Sequence, residues 1–283
     1  MKIAIYGSRR QQAYVSEIQS LLRRLVLSGH EIMLATKLYT HLQDLGVALS
    51  GIGCAGDSLP EGTGMAISIG GDGTFLRTAS WVGASEVPVL GVNTGHLGYL
   101  AGVSLEELLG NIDRFIVAEP DTESRTLIEV VSPPVKGWRY ALNEVTIAKE
   151  ESASMVSAMT SIDGRRLAEY RADGLIVSTP TGSTAYNLSV GGPIVEPSAP
   201  VFVISPIAAH SLSLRPMVVN DRSVLDIRVE GRAHSFRLTV DGRSTTLPMG
   251  SEVRLRRAPF VTKIVRCEAT DFPEPLRRKL MFN

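Results

Sequence analysis

Residues 65–82 read MAISIGGDGTFLRTASWV, and the fold of the first half of the chain turns on them. MAISI is a short apolar run rich in isoleucine, the pattern of a strand buried on both faces of a parallel sheet. FLRTASWV reads as the opening turns of a helix, with Thr74 near its N-cap. Between the two lies Gly70-Gly71-Asp72-Gly73-Thr74. Strand, glycine-rich turn and helix together form the arrangement whose unpaired backbone amides cradle a phosphate. The turn leaves Asp72 at the carboxyl end of a strand, where ligands of open α/β sheets bind. A carboxylate facing phosphates repels them unless it does chemistry or holds a metal. Standing alone, the loop reads equally well as a tight turn with a surface acid.

Working outward, residues 2–6 read as a strand and residues 12–27 as an amphipathic helix with Val15, Ile18, Leu21, Leu22 and Leu25 on one face. Gly29 closes that helix and residues 31–35 form the next strand. Residues 45–64 are glycine-rich and carry no clear period. The helix at 74–82 and a strand at 87–92 continue a βαβ series, which calls for a parallel sheet with flanking helices. SLEELLGNIDRF, at 104–115, places Glu107 three residues after Ser104, a capping box ahead of one more helix. Past residue 120 strands take over, at 126–131, 138–148, 154–162, 165–171, 175–179, 201–204, 223–230, 235–240 and 253–256. Asp163-Gly164 and Asp241-Gly242 are hairpin turn signals among them. The expectation is a two-domain chain: an α/β N-terminal domain over 1–120, a mainly antiparallel all-β domain of sandwich type over 121–265, and a tail over 266–283.

The second half carries its own unusual stretch, DGLIVSTPTGSTAYNLSVGGPIVEP at 173–197. It reads as a buried strand, a Pro-Thr-Gly-Ser-Thr turn, a helix start and a Gly-Gly-Pro break. Gly182 lets the backbone approach a ligand, while Thr181, Ser183 and Thr184 offer caps or ligand contacts. Upstream, Asn143 and Glu144 lie inside an apolar strand pattern, ALNEVTI, where a buried acid is costly unless paired.

Composition sets the bounds. With 283 residues and 44% apolar content there is material for two cores. Lys+Arg and Asp+Glu are equal at 29 each, and no basic tract argues for nucleic acid or an anionic membrane as partner. Cys54 and Cys267 show no metal-type spacing and read as small apolar residues in a reducing compartment. The five histidines lack paired ligand spacing. Met1 runs straight into a strand with no signal-like segment, and no apolar run approaches the roughly 20 residues of a membrane span. A cytoplasmic protein is expected.

GGDGT followed by DGLIVSTPTGSTAYNLSVGGPI resembles the NAD kinase family. GVNTGHLGYLA (91–101) is similar to that family's second glycine loop, Asn143-Glu144 to its Asn-Glu pair, and Arg171-Ala172-Asp173 to the basic-x-Asp opening its long motif. The resemblance implies a two-domain NAD kinase-like fold whose tail returns to the first domain. It also implies transfer of the γ-phosphoryl of ATP to the adenosine-ribose 2′-hydroxyl of NAD. Asp72 would be the catalytic base, a ligand to a metal-bound water, or both. Gly73 would lie near phosphates. Arg77, one helical turn past the loop, reads equally as meeting a phosphate or as a solvated charge on the helix face. Asn143 and Glu144 would bond hydroxyls and the base of NAD, and Thr184, Ala185, Tyr186 and Ser189 would contact adenosine, with Asn187 and Leu188 between them in the same substrate-binding segment. Arg171 and Asp173 would reach the nicotinamide end from a neighbouring subunit, which implies a homodimer or homotetramer. A divalent cation, Mg²⁺, would arrive without a dedicated protein cage. Tyr99 reads as lying against adenine or as core packing.

One departure concerns the late turn. Many relatives place Gln two residues after the Asp, whereas this chain reads Asp241-Gly242-Arg243, so the glutamine's contact with NAD does not carry over and Arg243 would bring a charge near the pyrophosphate instead. His210, Ser213, Arg215 and Pro216 keep the general shape of their segment, and His210 reads as structural. GGDGT alone also occurs in phosphofructokinases and in diacylglycerol and sphingosine kinases. A lipid or sugar kinase leaves TPTGSTAYNLS without a purpose. A non-catalytic NAD(P) sensor would be favoured by loss of the loop carboxylate, and Asp72 is present.

Overall fold

A computed structural model describes residues 1–8, 13–95, 98–150, 155–211, 213–267 and 271–280. The expected helix start at Gln12, the middle of the glycine loop at His96 and Leu97, the strand start at Ser154 and the tail end at 281–283 lie outside the described residues. The chain divides into two compact units, Met1–Ser124 with Thr262–Asn283, and Arg125–Val261.

The first unit alternates strand and helix: β1 (Lys2–Gly7), α1 (Val15–Leu27), β2 (Glu31–Leu34), α2 (Thr36–Asp44), β3 (Ile52–Cys54), β4 (Thr63–Ile69), α3 (Asp72–Val82), β5 (Val89–Asn93), β6 (Val103–Ser104), α4 (Leu105–Gly110) and α5 (Ile112–Phe115). Its strands lie in the order β3-β2-β1-β4-β5-β6, every pair parallel. That order follows from the sequence: MAISI is buried from Met65 to Ile69, as a strand covered on both faces must be. α1 buries Ile18, Leu21, Leu22 and Leu25, its i, i+3, i+4, i+7 stripe, in the core that also holds Ile3, Ile5, Ile67 and Val92.

β7 (Thr122–Ser132) leads into the second unit, which continues with β8 (Tyr140–Ala141), β9 (Glu144–Lys149), β10 (Val156–Ile162), β11 (Arg165–Ala172), β12 (Gly174–Ser178), α6 (Tyr186–Ser189), β13 (Val201–Ile207), β14 (Met217–Asn220), β15 (Leu225–Gly231), β16 (Ser235–Val240), β17 (Arg243–Pro248) and β18 (Glu252–Val265). One antiparallel sheet runs β14-β13-β12-β9-β16-β17. The other contains β11-β10-β15-β18 in antiparallel register, with β7 and β8 beside them. Both sheets turn alternate apolar residues into one core, Val145, Ile147, Leu175 and Val177 from the first and Val156, Tyr170, Ile227 and Val253 from the second. The end of β18 and the last helix, α7 (Pro273–Leu280), belong to the first unit. No helix among the described residues is long and apolar enough to cross a membrane.

Several elements differ from the sequence-based reading. α3 begins at Asp72 with Gly71 as its N-cap, two residues before Thr74, so the acid sits in the first helical turn. The helix over 104–115 breaks at Asn111 (φ −137°, ψ 42°) into α4 and α5, although Ser104 does cap it, accepting the Glu107 amide at 3.0 Å. α2 lies between the expected elements, capped by no side chain, and is held by burial of Leu38 and Leu42. The strand over 138–148 divides into β8 and β9, with Leu142 and Asn143 between them. The helix after Thr184 amounts to a 3₁₀ turn (Thr181–Thr184) and the four residues of α6, separated at Ala185 (φ −96°, ψ −130°).

Candidate active site

In the first unit, the site is Asp72 and the glycine loop that grips it. The Asp72 carboxylate accepts the backbone N–H of Tyr99 on Oδ2 at 2.9 Å, and those of Leu100 and Ala101 on Oδ1 at 3.0 and 3.3 Å. It also lies in the first turn of α3, where helix amides favour negative charge. Gly98 is required by this contact, since a Cβ there would stand 1.9 Å from Asp72 Oδ1. An ionised carboxylate has about four lone-pair positions. Three are occupied by amides, and the fourth, on Oδ2, has no donor among the described residues. Gly73 is exposed beside it, and Arg77 is exposed one turn along α3 with no ion pair among the described residues. Tyr99 is half-buried beneath Lys279 of α7, whose Nζ lies 4.4 Å from the ring centroid.

In the second unit the site is built around residues 142–144. Where β8 gives way to β9 the main chain leaves the sheet ladder, and its polar groups find partners elsewhere. The Leu142 carbonyl accepts Thr179 Oγ1 at 2.5 Å, and the Asn143 carbonyl accepts the Thr179 amide at 2.9 Å. Gly182 rests against the Asn143 peptide so closely that a Cβ would fall 2.1 Å from its oxygen. That explains the glycine in Pro-Thr-Gly-Ser-Thr by close approach of backbone to backbone. The amides of Leu142, Asn143 and Glu144 all point to the Asp241 carboxylate, at 2.7, 2.9 and 3.2 Å.

This fastening presents two side chains. Asn143's carboxamide forms no hydrogen bond among the described residues, and Glu144 Oε2 is buried without a partner. Burial, and after it the Asp241 charge, raises the Glu144 carboxyl to about 7, while the Tyr186 backbone N–H pulls the other way. Burial likewise lifts Asp241 to about 6, against three amides and Arg243.

The Tyr186 amide therefore ties the 184–189 segment to Glu144. Tyr186 is 44% exposed, and Ser189 is exposed as well. Thr184, Ala185 and Leu188 are half-buried around them. Asn187 is fully buried, and its amide holds the loop from inside. Its Nδ2 donates to Ser183 O and Pro193 O at 3.2 and 3.1 Å, and its Oδ1 accepts Ser205 Oγ at 2.6 Å. Arg171 is exposed and paired with Glu169 at 2.7 Å, and Asp173 is paired with Lys149 at 2.7 Å. The His210 amide donates to Arg171 O, placing this strand end beside residues 207–210.

Two residues escaped sequence reading. Arg125 is buried and its guanidinium donates to Thr181 Oγ1 at 3.3 Å, beneath the hydroxyl-rich turn. Asp241 reads in the sequence as half of a hairpin turn, and its grip on 142–144 depends on a partner far away in the chain. Among the described residues, no group of three or more His, Cys, Asp or Glu side chains is placed to hold a metal.

Comparison with known proteins gives a consistent result. Residues 52–119 match the ATP-NAD kinase N-terminal domain, and residues 142–267 match the ATP-NAD kinase C-terminal domain. A NAD kinase of Porphyromonas gingivalis is 42% identical over 284 residues, covering 99% of this chain and 98% of the relative. One of Bacteroides fragilis is 40% identical over 288 residues, covering 100% and 98%. Among solved structures, yeast NADH kinase complexed with NADH superposes with a TM-score of 0.85 at 25% identity, covering all of this chain and 88% of that one. A NAD kinase from Archaeoglobus fulgidus in complex with ATP gives 0.74 at 25% identity, covering 95% and 94%.

Proposed function

The chain belongs to the NAD kinase family, and from that premise we propose that it transfers the γ-phosphoryl group of ATP to the 2′-hydroxyl of the adenosine ribose of NAD, forming NADP and ADP. The observation that carries this reading is the 142–144 turn. Its main chain is fastened by hydrogen bonds on both sides, while Asn143's carboxamide and Glu144 Oε2 are left to a ligand. A buried carboxyl with an empty lone pair is a costly feature that a ribose hydroxyl or an adenine edge would satisfy. Thr184, Ala185, Tyr186, Leu188 and Ser189 surround the adenosine in this reading, with Asn187 holding their loop.

Asp72 acts as the general base. As the 2′-oxygen attacks phosphorus and the bond to the β,γ-bridging oxygen breaks, the hydroxyl proton passes to Oδ2, the carboxylate oxygen with a lone pair to spare. The three amides keep the carboxylate fixed, so its contribution is one of position as much as basicity. Gly73 and Arg77 lie toward the phosphates. A divalent cation, Mg²⁺, would neutralise phosphate charge when bound. That ion would be held chiefly by phosphate oxygens and water, since the one lone pair Asp72 has left serves the proton. Arg171 and Asp173 reach the nicotinamide end of NAD held by a neighbouring subunit of a homodimer or homotetramer, and the enzyme works in the cytoplasm.

The test is NADP formation by the purified chain with ATP, NAD and Mg²⁺, run beside diacylglycerol and fructose 6-phosphate as acceptors. NADP accumulating only with NAD is the expected result. Phosphorylation of either other acceptor at a comparable rate would overturn the assignment.

A further inference from the structure

We propose that Asp241 is a positioning residue of the NAD site: its carboxylate fastens the 142–144 turn so that Asn143 and Glu144 meet NAD in one fixed geometry. The inference rests on the NAD kinase reading and adds to it the residue that shapes the acceptor site.

Turn chemistry alone does not call for an acid at 241. Asp241 and Gly242 take positive φ, 44° and 77°, the pair that a two-residue hairpin turn needs, and Asn-Gly satisfies that turn equally well. The same unit supplies an internal comparison. Asp163 and Gly164 form an identical pair, with φ 50° and 75°, and there the exposed Asp163 caps a single neighbouring amide, that of Val224, at 2.8 Å. Asp241 instead turns inward and accepts three consecutive amides at 2.7, 2.9 and 3.2 Å, while its own amide donates to Glu144 O at 3.2 Å. Only a carboxylate has acceptors on both oxygens; an asparagine would set its NH₂ against one of those donors.

The same side chain acts on Glu144 electrostatically. The charged groups facing the pair are Glu144 from β9, Asp241 from the β16–β17 turn and Arg243 from β17, with the Tyr186 amide completing the shell. The Asp241 charge helps keep Glu144 protonated near neutrality, so a fraction of Glu144 can donate a hydrogen bond to NAD as well as accept one. Arg243 favours the ionised form of Asp241 and thereby the clamp.

The experiment compares Asp241→Asn with Asp163→Asn in the full chain. For Asp241→Asn, KM for NAD should rise roughly 10- to 100-fold, with kcat and KM for ATP within about twofold. In ligand-free protein carrying ¹³C-labelled glutamate, the Glu144 titration should move to lower pH. Asp163→Asn should change none of these. In the wild type, the amide proton resonances of residues 142–144 should titrate together with Asp241, a measurement that needs neither a variant nor turnover. Flat amide titrations, an unmoved Glu144 midpoint, or equal losses toward ATP and NAD in a folded Asp241→Asn variant would overturn the proposal. A wild-type chain that forms no NADP while those amides titrate would instead count against the kinase reading.

Discussion

An asparagine at 72 keeps the volume of the side chain but cannot take up the 2′-hydroxyl proton. It also turns an NH₂ group toward one of the loop amides at 99–101 that the carboxylate now accepts. Asp72→Asn should therefore lower kcat by about 10²- to 10⁴-fold while leaving the dissociation constant for NAD within a few-fold; single-turnover kinetics beside calorimetric titration would separate the two. Turnover at the wild-type rate with saturating substrates would remove Asp72 from the role of base. Asp72 stood out in the sequence because glycines isolate it at a strand end, where unpaired helix amides suit an anion and an acid is unexpected. Asp241 did not. Its target amides lie far upstream, and Asp-Gly reads as a turn whichever way the carboxylate faces. Asn187 shows the opposite limit. It sits inside the motif most suggestive of ligand contacts, yet its amide bonds Ser183, Pro193 and Ser205, a pattern that spacing along the chain does not reveal.

At the scale of the element, the packing of the hydroxyl-rich turn against residues 142–144 makes Gly182 a sensitive point. A methyl group there would meet Asn143 O at 2.1 Å, so either the turn or the Asn-Glu segment must move. Gly182→Ala should raise KM for NAD at least tenfold, with KM for ATP little changed, since the displaced groups are those assigned to NAD; comparable losses for both substrates would point to wider collapse. Protonation offers a second probe of the same element. Glu144 goes from an ordinary 4.5 to about 7 in the folded chain because burial, then the Asp241 charge, disfavour its anion. A folded-state pKa raised above the unfolded value contributes stability that is present in full below pH 4.5 and is lost as pH rises through 7. The ligand-free enzyme should accordingly lose up to about 3 kcal/mol over that range from this group, and Glu144→Gln should flatten the dependence. Melting profiles of wild type and variant that stay parallel from pH 4.5 to 8 would rule this out. Elements with strong local patterns were readable: β4, the i, i+3, i+4, i+7 stripe of α1 and both Asp-Gly hairpins. α2 and the split between β8 and β9 were not. α2 lacks a side-chain cap, and the split is imposed by Asp241 and Thr179 from other parts of the chain.

The whole molecule comprises an α/β unit that carries Asp72 and a β unit that carries the Asn-Glu turn, each with its own apolar core. A sequence-level reading reaches that division because hydrophobic period changes from helical to alternating near residue 120. It does not reach assembly, which depends on surfaces rather than cores. Asp173 is the residue through which assembly can be tested. Within its own chain it pairs with Lys149 at 2.7 Å, which fixes the carboxylate at the strand end while leaving a second oxygen for a ligand. If that oxygen serves NAD bound to a neighbouring subunit, each active site needs two chains, and specific activity falls on dilution as subunits separate. Chains carrying Asp72→Asn and chains carrying Asp173→Ala, each nearly inactive alone, should regain part of the wild-type turnover when mixed under conditions of subunit exchange. The recovery comes from hybrids in which an intact Asp72 and its NAD site receive an intact Asp173 from the partner. In a random dimer mixture half of the molecules are hybrids, and each holds one intact site of two, so about a quarter of wild-type activity is the upper limit. Sedimentation showing a fully active monomer, or proven exchange with no recovered turnover, would place Asp173 in its own chain's site.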